Sequence, residues 1–163
     1  MIRVVTTVLV AVALLAVSMP AIEDARAETT VERIGTQADR IERVAGETTA
    51  NSVAVVDADL AGRRSMIVSA PTGVAAAPVD RIALEKPGDG DAVPDDRAPH
   101  GSVVVAYRLR HSSTRAVAIP PPTDAAEFAL VDGPIELRPD GETRLELRVV
   151  DRGGPTVRIE RVG

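Results

Sequence analysis

The feature that most constrains this sequence is a run of nineteen residues without a charged side chain, residues 4–22. Nineteen helical residues extend about 28 Å, close to the hydrocarbon thickness of about 30 Å in a typical bilayer. A buried helix of a soluble protein is the alternative, but an unbroken run of apolar or hydroxyl-bearing residues at a chain terminus disfavours it. The run therefore predicts a membrane-spanning helix.

We place this transmembrane anchor at residues 1–22. Its side chains of interest are Arg3, Leu9, Leu14, Leu15 and Pro20. Pro20 lies near the outer end of the run, where a missing N–H is least costly. Arg3 precedes the run, whereas Glu23 and Asp24 follow it. The positive-inside rule then predicts a single pass through the cell membrane, with the amino end in the cytoplasm and the remainder of the chain extracellular.

A cleaved secretory signal is the alternative to a retained anchor, since Ala25-Arg26-Ala27 has the form of a signal-peptidase site. Against cleavage, a single charge precedes the run, and the run is longer than the usual apolar region of about 7–15 residues. Both alternatives export the rest of the chain.

Residues 23–50 predict an amphipathic stalk helix that continues from the anchor. Its apolar residues recur at spacings of three and four, which is typical of a helix seam. The members of this stripe are Val31, Ile34, Ala38, Ile41 and Ala45. Two partners stay open for it: the protein's own sheet, or a helix of another subunit in a homo- or hetero-oligomer.

Beyond residue 50 the apolar period changes to two, which predicts strands. We expect strands at residues 53–60, 65–70, 81–86, 103–110, 115–119, 127–131, 135–138, 144–150 and 156–162. The last three alternate most clearly and predict an antiparallel meander with cross-strand ion pairs. The predicted fold class is α+β: a long transmembrane and amphipathic helix, then a small antiparallel β-sandwich over residues 51–163, extracytoplasmic in location.

Two segments of this region do not fit strands. Residues 87–101 are rich in Pro, Gly and Asp, and we expect a mobile exposed loop. Residues 119–126 contain three consecutive prolines, which predict a short polyproline II bend.

The search for chemistry finds no catalytic site. The chain has no cysteine and two histidines, His100 and His111, without metal-ligand spacing. Four aspartates could surround Ca²⁺, but their spacing does not match an EF-hand, so a solvated loop is preferred. They are Asp89, Asp91, Asp95 and Asp96. Phosphate-binding and nucleophile motifs are absent from the sequence. We therefore expect no enzyme activity, no cofactor and no metal.

Charge bears on partners and source. A net charge of −5 disfavours nucleic acid as a partner. Arg63-Arg64 and the pair Arg108 and Arg110 could grip an anion, although alternate strand positions favour a solvated face. Lys86 is the only lysine beside 18 arginines. Low lysine with excess carboxylates favours a halophile, and a GC-rich genome is the alternative.

The chain opens with Met1-Ile2-Arg3, continues with a run of Ala, Val and Leu, and reaches the junction Pro20-Ala21-Ile22-Glu23-Asp24-Ala25-Arg26. In these features the first 45 or so residues resemble a family of small haloarchaeal membrane proteins of unknown function. Members accompany pilus or secretion ATPases and membrane-platform proteins, which implies an accessory role.

The layout is also similar to that of a type IV pilin, in which an apolar helix continues into an amphipathic half and a β head. The chain departs from that pattern because no pilin-peptidase site precedes the run and Val8, not glutamate, stands at its fifth place. The sequence thus predicts a membrane-anchored accessory or pilin-like structural component of an archaeal surface appendage or secretion system. The alternative is an exported binding module that recognises a polysaccharide or peptide through residues 87–101 and 119–126.

Overall fold

The computed structural model describes residues 2–90 and 97–163, with side chains from residue 4 onward. Its first element is one continuous helix, α1 (Ile2–Asn51), of 50 residues, which makes a rod about 75 Å long. Pro20 lies inside the helix without ending it. The helix ends at Asn51, whose side-chain amide donates to the carbonyl of Glu47 at 2.7 Å. The predicted continuity of anchor and stalk in one helix is therefore confirmed.

In the described part of the chain, eight strands follow the helix. They are β1 (Arg63–Ser69), β2 (Val79–Glu85), β3 (Val103–Leu109), β4 (Thr114–Ile119), β5 (Glu127–Leu130), β6 (Ile135–Glu136), β7 (Glu142–Asp151) and β8 (Pro155–Arg161). They form two four-stranded sheets, with the orders β1-β7-β8-β5 and β4-β3-β2-β6. Every pairing is antiparallel except that of β5 with β8. The predicted α+β class, with a long amino-terminal helix before a small β-sandwich, is confirmed.

The two sheets and the second half of α1 share one hydrophobic core. Alternate residues of the strands point into it, among them Leu84, Val105, Leu147 and Ile159. The helix contacts β1 and β4, the edge strand of each sheet. It therefore closes one open side of the sandwich and covers strand edges that would otherwise invite pairing with another chain.

The apolar stripe of the stalk lies inside this core. Ile34, Ala38, Ile41 and Ala45 are at most 2% exposed, and Val31 packs against them at the margin. Of the two partners left open by the sequence, the structure has the chain's own sheets. A second subunit's helix would need these side chains at the surface, so the stripe carries no further argument for assembly.

The strand predicted at residues 53–60 is wrong. The segment makes one isolated bridge, between Val55 and Val150, and its other large apolar side chains are exposed. Asp57 ends any extension because its carboxylate accepts the N–H of Asp59 at 2.9 Å, and its carbonyl accepts that of Leu60. Such local side-chain bonds favour turns over strands.

The predicted meander is correct for β7 and β8 and wrong for β6. Ile135 of β6 pairs with Leu84 of β2, in the other sheet. The turn between β6 and β7 therefore crosses between the sheets. Both arrangements put Ile135 and Leu137 in the core, which is why alternation alone could not separate them.

The predicted mobile loop at residues 87–101 is only partly described. Asp91, Asp95 and Asp96 lie outside the described residues, and with them the central part of that prediction. On the described side, the N–H of Asp89 donates to the carbonyl of Lys86 in a turn.

Candidate membrane interface

The first half of α1 presents an uncovered apolar surface. Every large apolar side chain among residues 4–22 is at least half exposed, from Ile22 at 50% to Val17 at 79%. The other predicted anchor residues share this exposure: Leu9, Leu14 and Leu15 are each 64% exposed. Arg3 lies in the first turn of the helix. This surface is far larger than the isolated apolar side chains that soluble proteins leave in water.

The helix passes a test for membrane spans by length and composition, with a mean hydropathy of 2.3 in its most apolar window and none of that window buried. Core helices of soluble proteins can pass the same test, but they are buried. A signal sequence near the amino end also passes it. The finding therefore indicates a membrane-associated segment and does not fix its orientation.

Ser18, a polar residue in this half, is hydrogen-bonded within the helix. The hydroxyl of Ser18 donates to the carbonyl of Leu14 at 2.8 Å. Such a bond to the preceding turn lets a serine lie in hydrocarbon without an unpaired polar group. The segment is thus compatible with lipid in its backbone as well as in its side chains.

The β-sandwich begins directly after the apolar run. Ala27 packs against the core, about 7 Å along the helix from Ile22. Thr30 is fully buried; its hydroxyl accepts the N–H of Ala77 at 2.8 Å and donates to the carbonyl of Arg26 at 2.9 Å. No flexible linker separates the exposed run from the folded body in this described region.

Further contacts fix the helix along the sandwich. Arg40 donates to the carbonyl of Ile67 in edge strand β1. Near the end of the helix, Arg64 of β1 forms an ion pair with Glu47. One member of the pair Arg63-Arg64, for which anion binding was considered and a solvated face preferred, is therefore paired with the chain's own helix.

A cleft of about 530 Å³ lies where the helix meets the sandwich, next to the end of the apolar run. We call it the proximal cleft. Its charged lining groups come from the helix, the β3–β4 turn and the start of β4: Glu23, Arg26, Arg110, His111 and Arg115. Apolar lining is supplied by Ala27, Pro78 and Leu109. Sequence reasoning singled out Arg110 but missed Arg26 and Arg115, which are distant in the chain.

A second, smaller cleft of about 280 Å³ lies at the other end of the sandwich. Its lining includes His100 and Asp124, so the predicted binding loops 87–101 and 119–126 do meet in this distal cleft. Gly101 makes the approach possible: its φ is +75°, and a Cβ there would lie 3.1 Å from the Cα of Glu127. The two histidines are thus placed at opposite ends of β3, too far apart to share a ligand.

Two ion clusters stabilise the outer faces of the sheets. Arg81 donates to Glu85 at 2.7 Å and to Glu136 at 2.6 Å, and hydrogen bonding to Glu136 first, then to Glu85, raises the pKa of Arg81. The buried Glu85 carboxylate is thereby paired.

On the other sheet, Arg148 contacts Glu146 at 2.6 Å and Glu160 of β8 at 3.3 Å. The hydrogen bond to Glu146 is the main cause of a raised pKa for Arg148. The pair with Glu160 confirms the predicted cross-strand ion pairing between the last two strands. Both arginines are therefore engaged in ion pairs within the fold.

Among the described residues, no group of three or more His, Asp or Glu side chains lies close enough together to hold a metal ion. Asp89 of the predicted acidic cluster is exposed, and its three partners lie outside the described residues. The preference for a solvated acidic loop over a Ca²⁺ site therefore stays a prediction.

Comparison with known proteins gives one match. No curated protein and no solved structure matches the chain. A family model described as a domain of unknown function, DUF7311, matches residues 1–162. The apolar run, the packed half of the helix and both sheets lie within that single match, and the chain accordingly belongs to the DUF7311 family.

Proposed function

We propose that this protein is a single-pass membrane protein that holds a β-sandwich against the outer surface of the cell membrane. In this proposal it is a non-catalytic accessory or pilin-like component of an archaeal surface appendage or secretion system. The observation that carries the proposal is the apolar half of a helix whose large side chains are all at least half exposed, while the other half packs into the folded body.

The proposed orientation takes Arg3, which precedes the apolar run, as the residue that holds the amino end in the cytoplasm, with the sandwich outside. Arg26, Arg33 and Arg40 follow the run within 20 residues and by the same rule favour the opposite orientation, so the labelling experiment below decides between the two. Assembly with other subunits would use the exposed half of α1, because the stripe of the packed half is buried. Helices in lipid associate through close packing of such faces.

The experiment uses the absence of cysteine from the chain. Single cysteines are introduced as Ser113→Cys, in the exposed β3–β4 turn, and as Ile2→Cys, in the first helical turn. In intact cells, a membrane-impermeant maleimide should label the first variant, and it should label the second only after lysis. Labelling of Ile2→Cys alone in intact cells would reverse the orientation, and recovery of the intact chain from the cytosol would overturn the anchor.

An exported binding module is the second candidate, favoured by the meeting of the two predicted loops in the distal cleft. Amino-terminal sequencing of the mature protein separates the candidates. A start at Glu28, after the Ala25-Arg26-Ala27 site, would release the sandwich from the membrane and favour the binding module. A start at or next to Met1 supports the anchored component.

A further inference from the structure

We infer that the proximal cleft binds the phosphate of an anionic lipid headgroup in the membrane that α1 enters. This inference rests on the proposed anchoring. It concerns a different set of residues from the apolar run, and it can fail while the anchoring holds.

The proximal cleft lies at the depth of lipid headgroups if α1 spans the membrane as proposed. Arg26 lies four residues beyond Ile22, or about 6 Å along the helix, whereas the headgroup layer on each side of a bilayer is about 5–8 Å thick. The β3–β4 turn is held near that level. The N–H of Ala77 approaches the carbonyl of Arg26 at 3.4 Å, and the N–H of Arg110 donates to the carbonyl of Pro78 at 3.0 Å. The cleft therefore opens at the headgroup layer.

The proximal cleft has an excess of positive charge. Among the described residues, Arg26 and Arg115 form no ion pair, and Arg110 has only a long contact of 3.7 Å with Asp80. The lining thus has three guanidinium groups and one carboxylate, that of Glu23, and Asp80 next to Arg110 adds a second carboxylate. One positive charge is left in excess in a chain of net charge −5. Guanidinium groups bind phosphate oxygens through paired hydrogen bonds.

The lining of the proximal cleft combines apolar and basic side chains. Ala27, Pro78 and Leu109 give the cleft apolar surface beside its arginines. A lipid offers both parts, a phosphate and the start of an acyl or alkyl chain, whereas free phosphate offers only the first. We therefore assign the cleft to a lipid headgroup.

His111 adds an observation about the turn itself. Its φ is +61°, in the left-handed region where glycine is the least strained residue. A side chain retained in that conformation lines the cleft. Non-glycine residues in this conformation are enriched at binding sites, because the surrounding structure must hold them there.

The test uses the full chain reconstituted in phosphatidylcholine nanodiscs, with a fluorescent dye on Ser113→Cys. Phosphatidylglycerol carrying a headgroup quencher is titrated into the discs. We expect quenching that saturates, and we expect the double substitution Arg26→Gln with Arg115→Gln to raise the half-saturating concentration of phosphatidylglycerol by about 25-fold. That value follows from a factor of about five for each basic residue near an anionic surface.

The matched control is Arg63→Gln with Arg138→Gln, which removes the same charge from exposed positions that line neither the proximal nor the distal cleft. It should quench as the parent does. Equal weakening by both pairs of substitutions would reduce the effect to net charge and overturn the site. Displacement of the lipid by soluble glycerol phosphate at equal concentration would overturn the assignment to a lipid.

Failure of the anchoring gives a different result. In that case the protein would not co-elute with nanodiscs of either lipid composition, and both proposals would fall. Co-elution without any preference for phosphatidylglycerol over phosphatidylcholine overturns the headgroup site and leaves the anchor standing.

Discussion

The two halves of α1 have the same backbone and opposite surroundings. In the first half, residues 4–22, large apolar side chains cover the whole circumference and all are exposed. In the second half, residues 27–48, apolar side chains form one stripe that the two sheets bury. The difference shows that the distribution of apolar residues around a helix, more than their number, indicates what surrounds it: a protein core for the second half and, in the proposed function, lipid for the first.

The largest expected loss of stability comes from disrupting the packed second half of α1. Ile41→Asp places a charge without a partner in the core and should destabilise the sandwich by about 4 kcal/mol or more. Denaturant unfolding in detergent measures it. Val17→Asp is the control, because its side chain contacts no strand and should leave the free energy of unfolding unchanged. A normal unfolding midpoint for Ile41→Asp would show that the stripe is not part of the core.

The next largest effect is expected on membrane insertion, from a charge placed in the exposed first half of α1. Leu14→Asp should make membrane insertion less favourable by about 3 kcal/mol, since a carboxylate at the centre of a span is costly. The measurement is the fraction of protein retained in carbonate-washed membranes, with Leu14→Ile expected to behave as the parent. Retention equal to that of the parent would mean that the apolar run does not hold the protein in lipid.

A smaller effect sharpens the boundary between the halves. Thr30→Val removes the hydroxyl that accepts the N–H of Ala77 and should cost about 1–2 kcal/mol. Thr29→Val is a matched control on the same turn, because its hydroxyl contacts only the helix carbonyl of Ala25. Similar unfolding curves for the two variants would mean that the sandwich is not held at this point.

The smallest effect lies at the far end of the packed half. Glu47→Gln removes the ion pairs with Arg64 and Arg43, both of them partly exposed. Pairs of this kind contribute about 0.5 kcal/mol or less, and salt screens them. The loss should therefore disappear in unfolding curves recorded at high salt, and a loss that persists there would indicate packing and not charge.

Much of the fold follows from local patterns in the sequence. The uncharged run predicts the first half of α1, and the alternation of Leu145, Leu147 and Val149 predicts β7, because the side-chain period of each element is fixed by its backbone. Which strands pair with each other does not follow from local patterns. Alternation gives Ile135 an inward face but does not say which strand lies beside it, so the pairing of β6 with β2 could not be predicted.

Of the candidate sites, the sequence predicts the one whose residues are contiguous and not the one that the fold brings together. The apolar run is contiguous in sequence and could be read directly. The proximal cleft could not, because Arg26 and Arg115 are 89 positions apart and only the packing of the helix beside the β3–β4 turn brings them together. Nor could sequence choose a partner for the stalk stripe, since a helix seam has the same spacing whether it meets a sheet or another helix.

The direct attachment of the sandwich to the apolar run has a mechanical consequence. Because Ala27 packs against the core of the sandwich, the proposed span and the sandwich would move as one rigid body. A helix that leans by about 20° to fit a thinner bilayer would carry Asn51, some 24 residues further along, sideways by about 12 Å. Bilayer thickness would thereby set the angle at which the distal cleft faces its surroundings.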